Sequence, residues 1–586
     1  VLFAISVDGL RIIDRSCFNF IFSSTNYSRG RFSFYFFVGG KSNLKKTKEI
    51  SHEPDLKIPN TILGSQIPRD LFYIPDPNFN YDNDLGDSGE PPYTRGIHRS
   101  MFRGRNFTTR QLAGLGLPED TNERMKFMLD HGATGLSILF DLPTIQMYDS
   151  DDSFSEGQIG MSGVCVDSVD DMFRLFKDIP LDKTSISIVT HYPTNTLVLL
   201  PMFLVMAEEQ GIPFDKLRGS SQNDMTMEEL VRSGIDFIPP QDCFRIQNDN
   251  IEYLSDHAPN WNTVTLNGYN LRDFGATSIT ESAVAISNGI ATLEEMSERG
   301  YDPNEIAKRI SFFWCISNDF FEEIARLRAV RRLWFKIMKN RFNITDPKAL
   351  LMRCHSQTSG ISLTQVEPYN NIIRSSFQAL AAVLGGTSSL HVDSYDEAYA
   401  IPTEESALLS LRTQQIIQKE TAITDVVDPL GGSYYVENLT NEIEQKILDE
   451  IDIIESDGGY VKSIESGKIY NKIVSYFTEQ QKDIDSGKIE IVGKNVYQSD
   501  TSLPPIDVFQ HSEEVEKEQK QRLANLRLTR NNDDVQISLQ ALEYNCKRNK
   551  NLFPYSMECA RARCTEGEIF RTILSAFGPW KPPSFI

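Results

Sequence analysis

The chain has 586 residues, 40% of them hydrophobic, with 59 Lys and Arg against 81 Asp and Glu, a formal net charge of −22. That length exceeds one ordinary core, so roughly two to four domains, or one elaborated barrel with an appendage, are expected. The acidic balance argues against a nucleic-acid partner, which requires a basic face to displace phosphate counterions, although a local basic pocket remains compatible with it. No apolar run approaches the ~20 residues of a membrane span, so no membrane partner is expected. The eight cysteines (17, 165, 243, 315, 354, 546, 559 and 564) include no Cys-x-x-Cys pair. They read as free thiols in a reducing compartment, with no metal site among them.

Residues 1–50 form an atypical leader or a wrongly assigned start. Its Arg and Ser content resembles an organellar presequence, against which Asp8 and Asp14 weigh. The expected location is cytoplasmic, or an organellar matrix if that leader is a genuine presequence. Residues 51–90, rich in Pro, Asn and Asp (Ile74-Pro-Asp-Pro-Asn-Phe-Asn-Tyr-Asp-Asn-Asp84), suit an extended arm. Over residues 91–430 short apolar runs alternate with helical text. Strands are predicted at Thr134–Asp141, Thr184–His191, Thr263–Asn270, Ile310–Asn318, Ala349–His355 and Ser388–Val392. Helices are predicted at Glu119–His131, Leu199–Glu209, Thr280–Arg299 and Phe320–Lys339. Near-continuous apolar strands separated by helices indicate a parallel sheet covered on both faces. Repeated about eight times, the unit indicates an α/β fold of the (β/α)8 TIM-barrel type. An open doubly wound sheet is less suited, because no Gly-x-Gly-x-x-Gly turn opens any unit. Residues 431–586 read as a C-terminal helical belt around one strand, Ile489-Glu-Ile-Val-Gly493.

The segment Arg95 to Arg110 packs five arginines into sixteen residues, a local positive site in an acidic chain. Planar guanidinium groups donate paired hydrogen bonds to phosphates; a solvated charged loop has the same composition. Two further clusters, Arg353-Cys-His355-Ser-Gln357-Thr-Ser-Gly360 and Gly385-Gly-Thr-Ser-Ser389-Leu-His391-Val-Asp-Ser-Tyr-Asp-Glu397, stand where apolar strands break into polar text. In a parallel barrel that is where catalytic loops lie.

These clusters resemble the adenosylcobalamin-dependent acyl-CoA mutases, and with them Gln222-Asn-Asp224, Asp428-Pro-Leu-Gly-Gly-Ser-Tyr434 and Arg561-Ala-Arg-Cys-Thr-Glu-Gly567. The likeness runs from about Pro91 to Gly578, and Ser317-Asn-Asp-Phe-Phe-Glu-Glu-Ile-Ala325 is most similar to members with separate large and small subunits. The resemblance implies an isomerase, a radical rearrangement of an acyl-CoA carbon skeleton walled off inside a barrel. By position it implies coenzyme A contacts at Met101, Arg105, Thr108, Arg110, Ser137 (at the end of the first barrel strand), Arg309, Ser311, Arg353, His355, Gln357 and Ser389. It also implies adenosyl contacts at Glu397, and a reaction chamber lined by Tyr269, Asn270, Gln222, Arg232 and Leu112.

Several positions depart from the family pattern. Leu112 replaces an aromatic hydroxyl, as in relatives whose substrates lack a free carboxylate, whereas Arg232 matches the arginine that grips methylmalonyl's carboxylate. Asn270 replaces a histidine; an amide donates a hydrogen bond to the thioester carbonyl but cannot protonate it. Ile361 replaces a tryptophan facing the corrin, and Asp393 replaces an asparagine. None of the eight histidines has Asp two residues before it, so the family's cobalt-ligating Asp-x-His-x-x-Gly is absent. The expected partners are therefore an acyl-CoA, a separate small cobalamin-binding subunit in a hetero-oligomer, and a G-protein chaperone of the mutase. A catalytically silent homologue that binds acyl-CoA as a scaffold is the alternative. Without the resemblance, a barrel hydrolase using paired carboxylates such as Asp141 and Glu397 also fits.

Overall fold

A computed structural model describes residues 64–583, apart from residues 69, 71–72, 228–229, 231–235, 500–505, 511 and 549. The leader, the first part of the arm and Arg232 lie outside the described residues. Nine parallel strands form one sheet in the order β5-β4-β3-β2-β1-β9-β8-β7-β6. They are β1 (Thr108–Ala113), β2 (Gly135–Leu139), β3 (Ser185–Val189), β4 (Gly219–Ser221), β5 (Trp261–Asn262), β6 (Val264–Asn267), β7 (Ile310–Ile316), β8 (Arg353–Thr358) and β9 (Ser389–His391). The two edge strands of that order, β5 and β6, are successive pieces of one strand interrupted at Thr263. β5 pairs with β4 and β6 pairs with β7, so the ring closes. At the break, Thr263 N donates to Arg309 O at 3.1 Å and Asn223 Nδ2 donates to Thr263 O at 2.9 Å. The result is an eight-position TIM barrel.

The first barrel strand is β1, which begins at the end of the arginine-rich segment, so Ser137 lies in the middle of the second strand and not at the end of the first. The strand predicted at Ala349–His355 begins later, at Arg353, which makes the polar motif itself the strand. Residues 489–493 form no strand: a single bridging pair joins Val492 to Val496. There the Asn495 side chain accepts from Ile491 N and donates to the carbonyls of Ile484 and Ile489, which curls the segment into a turn.

Helices cover the outside. Pro193–Glu209 is buried along almost its whole length because Phe553–Arg561 from the C-terminal region packs over it, with Ser556 Oγ donating to Leu197 O at 2.5 Å. Phe320–Asn340, opened by Asp319, buries four arginines: 326, 328, 331 and 332. Buried guanidinium groups are costly unless paired. Arg328 reaches Asp428 and Glu437. Arg331 instead donates to the carbonyls of Tyr93 (3.2 Å), Thr94 (3.0 Å) and Gly385 (2.6 Å). Arg95 pairs with the same Asp428 at 3.2 Å. These bonds fasten the segment 93–95 and the turn before β9 to one helix, which fixes the loop that follows.

Candidate functional site

Side chains alternate across a strand, so every second residue of each barrel strand points inward. A (β/α)8 interior is ordinarily packed with Val, Ile and Leu. Here many of the inward positions are polar, with Leu112 and Phe313 among the exceptions. Ser137, Ser187, Ser220 and Asn262 stand side by side in register from β2 to β5. Across the ring, Thr265, Ser311 and Arg353 are aligned, as are His355, Ser389 and Thr108. The intervening positions, such as Leu136, Ile186, Ile188 and Phe312, are apolar and buried against the helices. The barrel therefore turns its greasy face outward and leaves space along its axis.

That space is a cavity of about 410 Å³. Met101, Arg105, Thr108, Arg110, Gln222, Ser311, Arg353, His355 and Ser389 line it, together with Ser185, Ser187 and Ser220. Its mouth lies at the N-terminal ends of the strands, between Arg105, His98 and Arg353. Burial first, and then the Arg353 and Arg105 charges, hold the His98 imidazole below its ordinary pKa, a sign of the positive field there. Deeper in, Arg110 donates to Leu136 O (2.7 Å) and Ser185 Oγ (2.6 Å), and desolvation lowers its pKa to about 10. Gln222 Oε1 is buried without a partner. An unpaired buried polar atom is costly, so a ligand donor at that point would be stabilising. Arg309 is not among the lining residues: it donates to Leu254 O and Ala258 O at the end of the helix Pro240–His257.

At the C-terminal ends of the strands a second group assembles. Leu112 N donates to His391 Nδ1 at 3.3 Å, so the ring proton sits on Nε2, which donates to Asp393 Oδ1 at 3.1 Å. Burial lowers the His391 pKa to about 4, which keeps the ring neutral. Gln357 Nε2 donates to both Asp393 Oδ1 and Tyr269 Oη at 2.9 Å. The Tyr269 ring stacks on Phe313, its centroid 4.8 Å away. Asp273 closes the group, its carboxyl raised to about 7 by desolvation and the Asp393 charge, and its Oδ1 accepts from Ser359 Oγ at 3.4 Å. Burial likewise raises Asp393, whose Oδ2 has no partner. Glu397 stands exposed at the rim. Desolvation and then Asp393 push its carboxyl upward, an effect that its solvent contact moderates. Asn270 sits half-buried on the short turn Tyr269–Asp273, and Ile361 is 50% exposed on the loop after β8.

The two ends thus separate a basic mouth from a carboxyl-rich chamber across a serine-lined passage. Sequence reasoning missed Ser185, Ser187, Ser220 and Asp273, and placed His391 in a candidate cluster without giving it a role. The serines were readable in Ser185-Ile-Ser-Ile188, whose alternation puts Ser on one face and Ile on the other. Asp141 does not join the chamber: its carboxylate accepts Thr144 N at 3.0 Å and Gly160 N at 2.6 Å, a helix cap and loop tie. Among the described residues no three His, Cys, Asp or Glu side chains are placed to hold a metal ion. None of the described helices is long and apolar enough to cross a membrane.

The methylmalonyl-CoA mutase family profile matches residues 63–579. The chain is 42% identical over 481 residues to a probable mitochondrial methylmalonyl-CoA mutase of Caenorhabditis elegans, covering 82% of this chain and 64% of that protein. It is 37% identical over 499 residues to the 2-hydroxyisobutanoyl-CoA mutase large subunit of Aquincola tertiaricarbonis, covering 85% and 88%. It is 39% identical over 494 residues to the mitochondrial methylmalonyl-CoA mutase of Homo sapiens, covering 84% and 66%. The chain thus spans less than two thirds of the length of the worm and human relatives.

Proposed function

The chain belongs to the methylmalonyl-CoA mutase family, and from that premise we propose that it is the catalytic large subunit of an adenosylcobalamin-dependent acyl-CoA mutase. The observation that carries this reading is the inverted polarity of the barrel interior. A thioester on a long polar arm needs a narrow passage with hydrogen-bonding walls and a phosphate-binding mouth. Arg105 and Arg353 would take the nucleotide phosphates, and the serines of β3 and β4 the amides of the arm. Gln222, Tyr269, Asn270 and Leu112 would surround the acyl group.

The carboxyl group at the far end fits a hydroxyl-bearing nucleoside: Asp393 Oδ2 is a buried polar oxygen without a hydrogen-bond partner, which a hydroxyl can supply, and Glu397 stands beside it at the rim. When bound, adenosylcobalamin would supply the radical chemistry by which the acyl-CoA carbon skeleton is rearranged. Tyr269 is held by its stack on Phe313 and by Gln357, so it excludes water from the chamber without moving. Asn270 would hold the thioester carbonyl by a hydrogen bond that involves no proton transfer. The likeness to a 2-hydroxyisobutanoyl-CoA mutase large subunit, covered to 88% of its length, favours a cobalt ligand from a separate small subunit; a G-protein chaperone would complete the assembly.

Leu112 favours a branched or hydroxylated acyl group, and Arg232 favours methylmalonyl-CoA and succinyl-CoA. The test is an isomerisation assay with the chain, a cobalamin-binding small subunit and adenosylcobalamin, given methylmalonyl-, isobutyryl- and 2-hydroxyisobutyryl-CoA in parallel. Turnover of one ester is expected. Binding of all three with turnover of none would instead favour a silent acyl-CoA-binding homologue.

A further inference from the structure

The turn that follows β6 carries two asparagines joined in one sense only. Asn267 is 1% exposed at the strand end, and its backbone N–H donates to Asp224 Oδ2 at 2.7 Å. Its side-chain Oδ1 lies 3.1 Å from the backbone nitrogen of Asn270. A backbone N–H can only donate, so the atom of Asn267 facing it must be the oxygen. That leaves Asn267 Nδ2 for the Asn270 side chain, 2.8 Å from its Oδ1. An amide nitrogen also only donates, so Asn270 must turn its oxygen toward Asn267 and keep its own Nδ2 on the other side. The two amide orientations therefore follow from one backbone N–H.

The turn that holds this pair has little freedom. Gly268 N donates to Phe313 O at 2.9 Å. A Cβ on Gly268 would stand 2.7 Å from Glu281 and 2.9 Å from Trp314, so only glycine fits. Asp224, which anchors Asn267, lies two residues beyond Gln222 of the cavity wall and also accepts Thr226 N at 2.6 Å. The loops after β4 and β6 are thus bonded together at the upper end of the cavity. Among the described residues, Asn270 Nδ2 has no acceptor.

We propose that Asn267 is a positioning residue that locks Asn270 as a hydrogen-bond donor, so that the ligand group received there is an acceptor oxygen. Resting on the functional reading above, that oxygen is the thioester carbonyl. A freely turning amide would present its oxygen part of the time and repel the carbonyl. With the lock in place the donor is always offered, with no cost of orienting it when the ester arrives.

The test compares the affinity of the purified chain for isobutyryl-CoA with that for S-isobutyl-CoA, the thioether in which CH2 replaces the carbonyl. Calorimetry supplies both dissociation constants. In the parent chain the ester should bind about threefold to tenfold more tightly than the thioether, the worth of one neutral hydrogen bond. Asn270→Ala should bring that ratio to about one. Asn267→Leu, similar in shape but unable to hydrogen-bond, should remove at least half of the preference on a logarithmic scale. The double variant should match Asn270→Ala alone, because Asn267 acts only through Asn270. Thioether affinity should stay constant in all four proteins. If Asn267→Leu keeps the full preference while Asn270→Ala loses it, the positioning role is wrong. If Asn267→Leu weakens thioether and ester equally, its role is structural and the proposal also falls. If Asn270→Ala keeps the parent ratio, or neither probe binds, the underlying placement of Asn270 at the carbonyl fails instead.

Discussion

Replacing Asp393 with Asn should make the protein more stable, by an amount that depends on pH in a defined way. Asp393 is 2% exposed; its Oδ1 accepts from Gln357 and His391, whereas its Oδ2 has no partner and the Asp273 carboxyl stands close by. Burial pushes the Asp393 carboxyl up to about 7, against roughly 3.9 in an unfolded chain. Between those values the unfolded state releases a proton that the folded state retains, so stability falls as pH rises through the window. Each pH unit costs about 1.4 kcal/mol per proton, so the upper bound across the window is about 4 kcal/mol. Sharing of protons with Glu397 and Asp273 reduces this to about 2 or 3 kcal/mol. Asn keeps the Oδ1 acceptor, cannot ionise, and places an N–H where the orphan oxygen stood. Thermal unfolding of both proteins at pH 4.5, 6 and 7.5 is the assay. The stability difference between variant and parent should be smallest at the lowest pH and grow steadily, with Asp393→Asn more stable at the highest. A difference that does not change with pH, or a variant less stable at pH 7.5, would refute the reasoning.

Three further substitutions separate the passage from the scaffold. Ser187→Leu restores the usual apolar barrel lining and should leave the melting temperature unchanged or higher, while lowering acyl-CoA affinity about tenfold or more in calorimetry. Asp141→Ala removes two hydrogen bonds to backbone N–H groups and should cost about 1–3 kcal/mol of stability in urea unfolding with no change in acyl-CoA affinity. That outcome would also dispose of Asp141 as half of a hydrolytic carboxylate pair. Arg105→Ala, at the exposed edge of the mouth, should weaken coenzyme A binding and make what remains less sensitive to salt, read from titrations at two ionic strengths.

The legibility of this chain in its sequence was uneven for a physical reason. β7 reads directly from Ile310-Ser-Phe-Phe-Trp-Cys-Ile316, buried at every position. β1 and β4 did not read as strands because their inward positions are Thr, Arg and Ser, so Thr108-Thr-Arg-Gln-Leu-Ala113 and Gly219-Ser-Ser221 look like polar loops. The feature that hid these strands is the feature that opens the barrel axis. Ile489-Glu-Ile-Val misled in the opposite direction: its alternation suits an edge strand, but the Asn495 amide folds it back on itself. Among site residues, nine of those expected by resemblance line one cavity, carried there by β1, β7, β8 and β9 and by the segments before β1 and after β4. The pairings of His391 with Asp393 and of Asn267 with Asn270 depend on which atoms face each other across a few ångströms. Spacing along the chain does not encode that.

The most direct test is a structure of this chain bound to a coenzyme A thioester. The thioester arm should run along the barrel axis past Ser187 and Ser220, with phosphates at Arg105 and Arg353 and the acyl carbonyl near Asn270. Ester density on the outside of the barrel, with the serine-lined passage filled only by water, would contradict the account.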